Sequence, residues 1–124
     1  MKSTDPGFPL MDANRFLEYL GGDPALCVDI LETGVKEWDA QVTQIKNLNG
    51  DSDKEFAIQA MHSLRGGSAT FEALSLVALL QKMESACEVH GVSSVLPHLG
   101  TFEVEALAYR EGLDCMISEL RTLL

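Results

Sequence analysis

Apolar residues recur every three to four positions along most of the chain, and β-branched runs with period-two alternation are scarce, so the pattern predicts helices throughout. The first is short. Asp12 can cap a helix over Ala13 to Leu20, with Phe16, Leu17 and Leu20 on its apolar side and Gly21-Gly22 as its stop. Asp23-Pro24 then joins an N-cap aspartate to a proline at the first helical position. Leu26, Ile30, Leu31, Val35, Trp38, Val42, Ile45 and Leu48 form one stripe from there to Asn49-Gly50, interrupted in character only by Gly34. Ser52 with Glu55 reads as a capping box that opens a third helix near Asp53. On that helix Phe56, Ala57, Ala60, Leu64, Gly67 and Phe71 share the inward side, at about 100° per residue. A fourth helix covers about Leu74 to Val89, with Leu76, Leu79, Leu80, Met83 and Cys87 inward and His90-Gly91 as its end. The last is expected to begin near Ser94, to tolerate Pro97 in its first turn, and to carry Val95, Leu99, Phe102, Ala106, Tyr109, Leu113, Met116 or Ile117, Leu120 and Leu124 as one long stripe. Four long amphipathic helices joined by short loops predict an all-α, antiparallel four-helix bundle, with the short additional N-terminal helix over one end. Residues 1–10, with Pro6, Gly7 and Pro9, read as a flexible lead-in, which leaves 11–124 as a single helical bundle domain.

Composition narrows the functional classes. The chain has 124 residues, a length that suits one domain, and 46% of them are hydrophobic. The net charge is −10, from 19 acidic and 9 basic side chains with no Lys/Arg cluster. That argues against nucleic acid and against an anionic membrane surface, both of which demand a basic footprint; acidity of this size is ordinary for a soluble, bacterial-type domain. Cys27, Cys87 and Cys115 are odd in number and lack CxxC spacing, so they read as buried free thiols in a reducing compartment. The opening MKSTDPGFPL has no apolar core of a signal peptide, and no apolar run reaches the ~18 residues of a membrane helix. A cytoplasmic location is the expectation.

The stretch that carries chemistry is MHSLRGGSATF, residues 61–71. His62 falls nearly opposite the inward side of its helix, surrounded by Glu55, Ile58, Arg65, Gly66 and Ala69. Gly66 and Ala69 offer little side chain, so a partner's surface can reach the imidazole. Arg65, three residues on, can hold a cation beside an anion attached to the ring. Exposed histidine is mostly neutral at pH 7 and keeps a nitrogen lone pair. Together these describe a nucleophilic histidine served by a partner protein. Two interior glycines cost a helix about 1 kcal/mol each, and a helix ending at Arg65 is the competing reading. The continued apolar stripe argues for a helix that passes through them, with Gly66 giving access to His62 and Gly67 permitting close approach of a neighbouring helix. Elsewhere the signals are weak. GGSAT lacks the lysine of a phosphate-binding P-loop. His90 and His98 read as loop and helix-start residues. Glu84 and Glu88 read as a solvated face, with no second catalytic group near His62, and the Glu-x-x-His pattern of di-iron bundles is absent.

HSLRGGSATF resembles the active-site segment of histidine-containing phosphotransfer (HPt) domains, whose pattern is roughly H-x-[LI]-K-G-[GSA]-[SA]-x-x-[FLI]-G, and is particularly similar to the phosphorylatable N-terminal domain of chemotaxis histidine kinases. His62, Leu64, Gly66, Ser68 and Phe71 match. Arg65 stands where lysine is usual, and Glu72 stands where glycine is common. The run LVALLQKMESACEVHG resembles the family's next helix. The resemblance implies a phosphocarrier that accepts a phosphoryl group on His62 and passes it to or from receiver-domain aspartates, without autonomous catalytic activity. It implies supporting contact or packing roles for Gln59, Arg65, Gly66, Ser68 and Ala69. It implies response-regulator receiver domains or a hybrid histidine kinase as partners, no cofactor on this chain, and Mg²⁺ on the partner receiver. The alternative is an HPt-like module that docks a receiver or kinase without carrying phosphate, suggested by Glu72 and Arg65. A freestanding monomer is expected, since 124 residues from Met1 leave no room for kinase or receiver domains.

Overall fold

The computed structural model describes residues 10–124, and residues 1–9 of the expected lead-in lie outside that range. Among the described residues there are five α-helices, two short 3-10 turns and no strand. Helix α1 is Ala13–Tyr19, α2 is Pro24–Lys46, α3 is Lys54–Thr70, α4 is Leu74–His90 and α5 is Leu99–Arg121, with 3-10 turns at Val92–Ser94 and Leu96–His98 before α5. The four long helices form the bundle and α1 packs against α2 and α5. Cross-helix contacts show the antiparallel order. Glu32 pairs with Arg121 and Asp39 with Arg110 between α2 and α5, while Gly34 faces the Phe71 ring and Trp38 donates to Ser68 between α2 and α3. In each case one residue number falls as the other rises.

Local chemistry starts the first three helices. The Asp12, Asp23 and Asp53 carboxylates accept from the backbone N–H groups of Arg15, Leu26 and Phe56, each three residues on, which satisfies an otherwise orphaned helix donor. The capping box expected from Ser52 and Glu55 does not form. Ser52 Oγ instead accepts from Asn49 N–H at 2.9 Å, closing the turn between α2 and α3, and Asp53 takes the cap. Helix α5 starts later than the Ser94 expected, because the chain first makes two 3-10 turns and places Pro97 in the second. A proline has no N–H to give and suits such a helix entry.

The core is one continuous cluster that runs through all the helices and includes Leu31, Ile45, Met61, Leu64, Leu80, Met83, Phe102 and Met116. Several inward expectations are corrected. Leu26, Ile30 and Phe56 are exposed, and so is Leu124. On α2 the stripe is rotated toward Cys27 and Val28, and on α3 toward Met61 and Ser68, all buried. Each shift is one helical position, the error that a choice between adjacent apolar residues produces. Leu10, assigned to the lead-in, packs partly buried against the core. Cys27 and Cys87 are buried but Cys115 is half-buried, and all three are free thiols. No helix among the described residues is long and apolar enough to cross a membrane.

The α3–α4 corner holds the sharpest local feature. Glu72 has φ +60°, the one non-glycine residue with positive φ among the described residues. A left-handed backbone costs an L-residue about 1–2 kcal/mol, which gives a conformational reason for the glycine common at this position in the motif. Arg15 of α1 meets the Glu72 carboxylate with both terminal nitrogens, at 3.0 and 2.9 Å. Met11 N–H also donates to Phe71 C=O at 3.0 Å, and the Phe16 and Phe71 rings lie 6.1 Å apart. Helix α1 is thereby fastened to the end of α3.

Candidate functional site

Helix α3 runs unbroken through Gly66 and Gly67. Packing of its apolar face on its neighbours outweighs the local preference of the two glycines. The expectation that Gly67 permits close helix approach is not met, because a Cβ built there would meet nothing within 4 Å. Gly66 also has open space where its Cβ would lie, and it is exposed on the side of α3 opposite the core.

His62 stands on that outward side with its side chain 61% exposed. Its Nδ1 lies 2.8 Å from Arg65 Nη2 and 3.5 Å from Glu84 Oε1. Arg65 Nε is 2.7 Å from Glu84 Oε2, an ion-pair contact without the angle of a good hydrogen bond, while Arg65 Nη2 donates to Glu84 Oε1 at 3.4 Å. Glu84 comes from α4, is only 12% exposed, and so sits beneath the arginine rather than on a solvated face. The reading that no second functional group stands near His62 is corrected here. The signal was present in the sequence. The short turn at 71–73 makes α3 and α4 an antiparallel hairpin, so residues about ten before it lie across from residues about ten after it. A cation at position 65 facing that neighbour calls for a carboxylate at this level.

The two partners of Nδ1 demand opposite ring states. Arg65 can only donate, so its contact requires a bare Nδ1 and leaves the neutral ring's proton on Nε2. Glu84 can only accept, so its contact requires Nδ1–H and leaves Nε2 with a free lone pair. Nε2 itself has no hydrogen-bond partner among the described residues, and the side chain that carries it is 61% exposed. The site therefore combines an open ring nitrogen with a charged pair on the other nitrogen that can select the tautomer.

The other sequence-predicted residues divide into two groups. Gln59, Gly66 and Ala69 are exposed on α3 with His62, and Gln59 Nε2 donates to Ser63 Oγ at 3.3 Å. Ser68 is not on that surface. It is 1% exposed and accepts from Trp38 Nε1 at 3.4 Å, so it fixes α2 against α3. His90 ends α4 and His98 ends a 3-10 turn, away from this cluster in sequence and structure. Among the described residues no group of three or more His, Cys, Asp or Glu side chains could hold a metal ion.

A family model described as Hpt domain matches residues 29–122, from the second turn of α2 to the end of α5. No curated protein and no solved structure matches the chain.

Proposed function

The chain belongs to the Hpt domain family, whose members take part in histidine phosphotransfer in phosphorelays and interact with receiver domains and histidine kinases, and on that premise we propose that it is a phosphocarrier with His62 as the phosphoacceptor. The observation that carries the proposal is the open Nε2 on an exposed, uncrowded helix face, backed at Nδ1 by Arg65 and Glu84. In the forward step the Nε2 lone pair attacks the phosphorus of a receiver's aspartyl phosphate. The N–P bond forms, the P–O bond to the aspartate breaks, and its electron pair returns to the carboxylate. The ring keeps its Nδ1 proton and gains positive charge, which the Glu84 carboxylate offsets. Arg65 leaves Nδ1 and can turn its guanidinium toward the transferred phosphoryl oxygens. Transfer onward reverses these steps. Mg²⁺ belongs to the receiver in this scheme, where it neutralises phosphoryl charge.

This chain supplies a positioned nucleophile and its charge partners, so it acts as a carrier and not as a catalyst in its own right. Gln59, Gly66 and Ala69 form the contact surface around His62, and Ser68 holds α3 in place through Trp38. A single domain over 11–124 fits the continuous core, and a cytoplasmic setting fits the free thiols; a monomeric state belongs to the same proposal. The test is incubation with a phosphorylated receiver domain and Mg²⁺. An acid-labile, base-stable label should appear on the wild-type protein and vanish in His62→Gln. Label that persists in that variant would refute the assignment. Binding without label would favour a docking-only module.

A further inference from the structure

Phe56 is 48% exposed, and it is the one large exposed hydrophobic on the helix that carries His62 among the described residues. It precedes His62 by six positions, about 9 Å along the helix axis. Measured around α3, Phe56 lies about 80° to one side of Gly66 and His62 about 40° to the other, at about 100° per residue. A single exposed apolar residue is ordinary on a protein surface. What sets Phe56 apart is where it stands. Any receiver that brings an aspartyl phosphate within bonding distance of Nε2 must lie across the outward side of α3. A standard interface covers about 800 Å² of each partner and a transient one up to about 600 Å², the latter a disc up to about 14 Å in radius. Phe56 falls inside that disc. Of the neighbours within it on α3, Gln59, Gly66 and Ala69 are exposed and offer almost no apolar side chain, while Ile58 is half-buried and packs against the core.

Affinity in such interfaces concentrates in a few buried aromatic or arginine anchors, while the surrounding contacts exclude water. Small residues around His62 let the partner's reactive group approach, but they cannot supply an anchor. Asp51, Asp53 and Glu55 precede Phe56 and are exposed, and the one cation among them, exposed Lys54, donates its Nζ to Glu88 C=O, so the rim at this end is net acidic. We infer that Phe56 is the specificity-determining anchor for the receiver partner, which offers an apolar pocket bordered by lysine or arginine. This inference rests on the phosphocarrier reading above and adds to it the residue that selects among receivers.

The test uses receiver domains from the source genome, loaded from radiolabelled acetyl phosphate with Mg²⁺, against the full chain. Phe56→Ser should raise the receiver concentration for half-maximal transfer by about ten-fold, the loss of an anchor worth more than about 1 kcal/mol, with the saturating rate within about two-fold. Phe56→Leu should recover most of the loss. Glu55→Lys should weaken the same receiver in a salt-dependent way. Thermal unfolding of each variant confirms an intact bundle. An unchanged half-maximal concentration in a folded Phe56→Ser variant would overturn the inference, as would a loss confined to loading from a kinase. Absence of label on the wild-type protein, or label retained in His62→Gln, would instead defeat the phosphocarrier reading itself.

Discussion

Replacing Glu84 with alanine separates the two ring states of His62. In the structure Nδ1 has a donor at 2.8 Å in Arg65 and an acceptor at 3.5 Å in Glu84. Without Glu84 only the donor remains, which keeps Nδ1 bare and the proton on Nε2, where the new N–P bond must form. The 3.5 Å approach is an ion-pair contact rather than a hydrogen bond, and His62 is 61% exposed, so its worth is that of a solvent-screened pair, about 0.5–1 kcal/mol. At about 1.4 kcal/mol per factor of ten in rate, Glu84→Ala should slow transfer about 2–5-fold at saturating receiver. Glu84→Gln keeps an acceptor but loses the charge and should fall between wild type and alanine. Two measurements check this: single-turnover transfer from a phosphorylated receiver, and nitrogen-15 spectra of the His62 ring, which report the tautomer directly. Glu84→Ala should shift the neutral ring toward Nε2–H. Wild-type transfer by a folded Glu84→Ala protein, or an identical tautomer balance in both proteins, would refute the reasoning.

Three further outcomes follow from other parts of the structure. At position 72 the +60° φ should reverse the usual order of alanine over glycine: Glu72→Gly should be more stable than Glu72→Ala by about 0.5–1 kcal/mol in urea unfolding, both variants having lost the Arg15 pair, and equal stability would remove the strain argument. Gly67→Ala should stabilise the protein by about 1 kcal/mol without slowing transfer, because an added Cβ meets nothing within 4 Å; Gly66→Leu, which fills the space on the outward side of α3, should slow transfer while leaving thermal stability intact. Stability should fall above about pH 9. Burial raises the Cys27 and Cys87 thiols above their ordinary 9.0 and the Tyr109 hydroxyl above its ordinary 10.0, so the unfolded chain releases these protons first and alkali favours it. Urea midpoints that stay constant from pH 8 to about 10.5 would contradict that sign.

The helices and their inner faces were largely legible because helix starts and apolar spacing carry most of the information. Asp23-Pro24 marks α2 without ambiguity, and both glycine pairs were read correctly as to whether the chain continues, Gly21-Gly22 ending α1 and Gly66-Gly67 lying within α3. Errors arose where adjacent positions compete. Phe56 and Met61 both fit an apolar stripe at α3, and only packing against α2 and α4 decides that Met61 is buried. Ser52 and Asp53 are both able caps, and the turn's own need at Asn49 N–H takes the serine. The exposure of His62 followed from angle alone. The Glu84 carboxylate required the α3–α4 hairpin to be read as a pair, because its placement depends on how α4 folds back along α3, which spacing within one helix does not report. Ser68 shows the converse, a residue of the motif whose observed contact is with Trp38 in the core and not with the exposed face.

Phosphorus-31 and nitrogen-15 spectra of the intact domain, after loading from a phosphorylated receiver, test His62 as the phosphoacceptor most directly. One phosphohistidine is predicted, at His62, with phosphorus coupled to Nε2 and Nδ1 still carrying its proton. Phosphorus on Nδ1, on His90 or His98, or on no histidine while the receiver still binds, would contradict it.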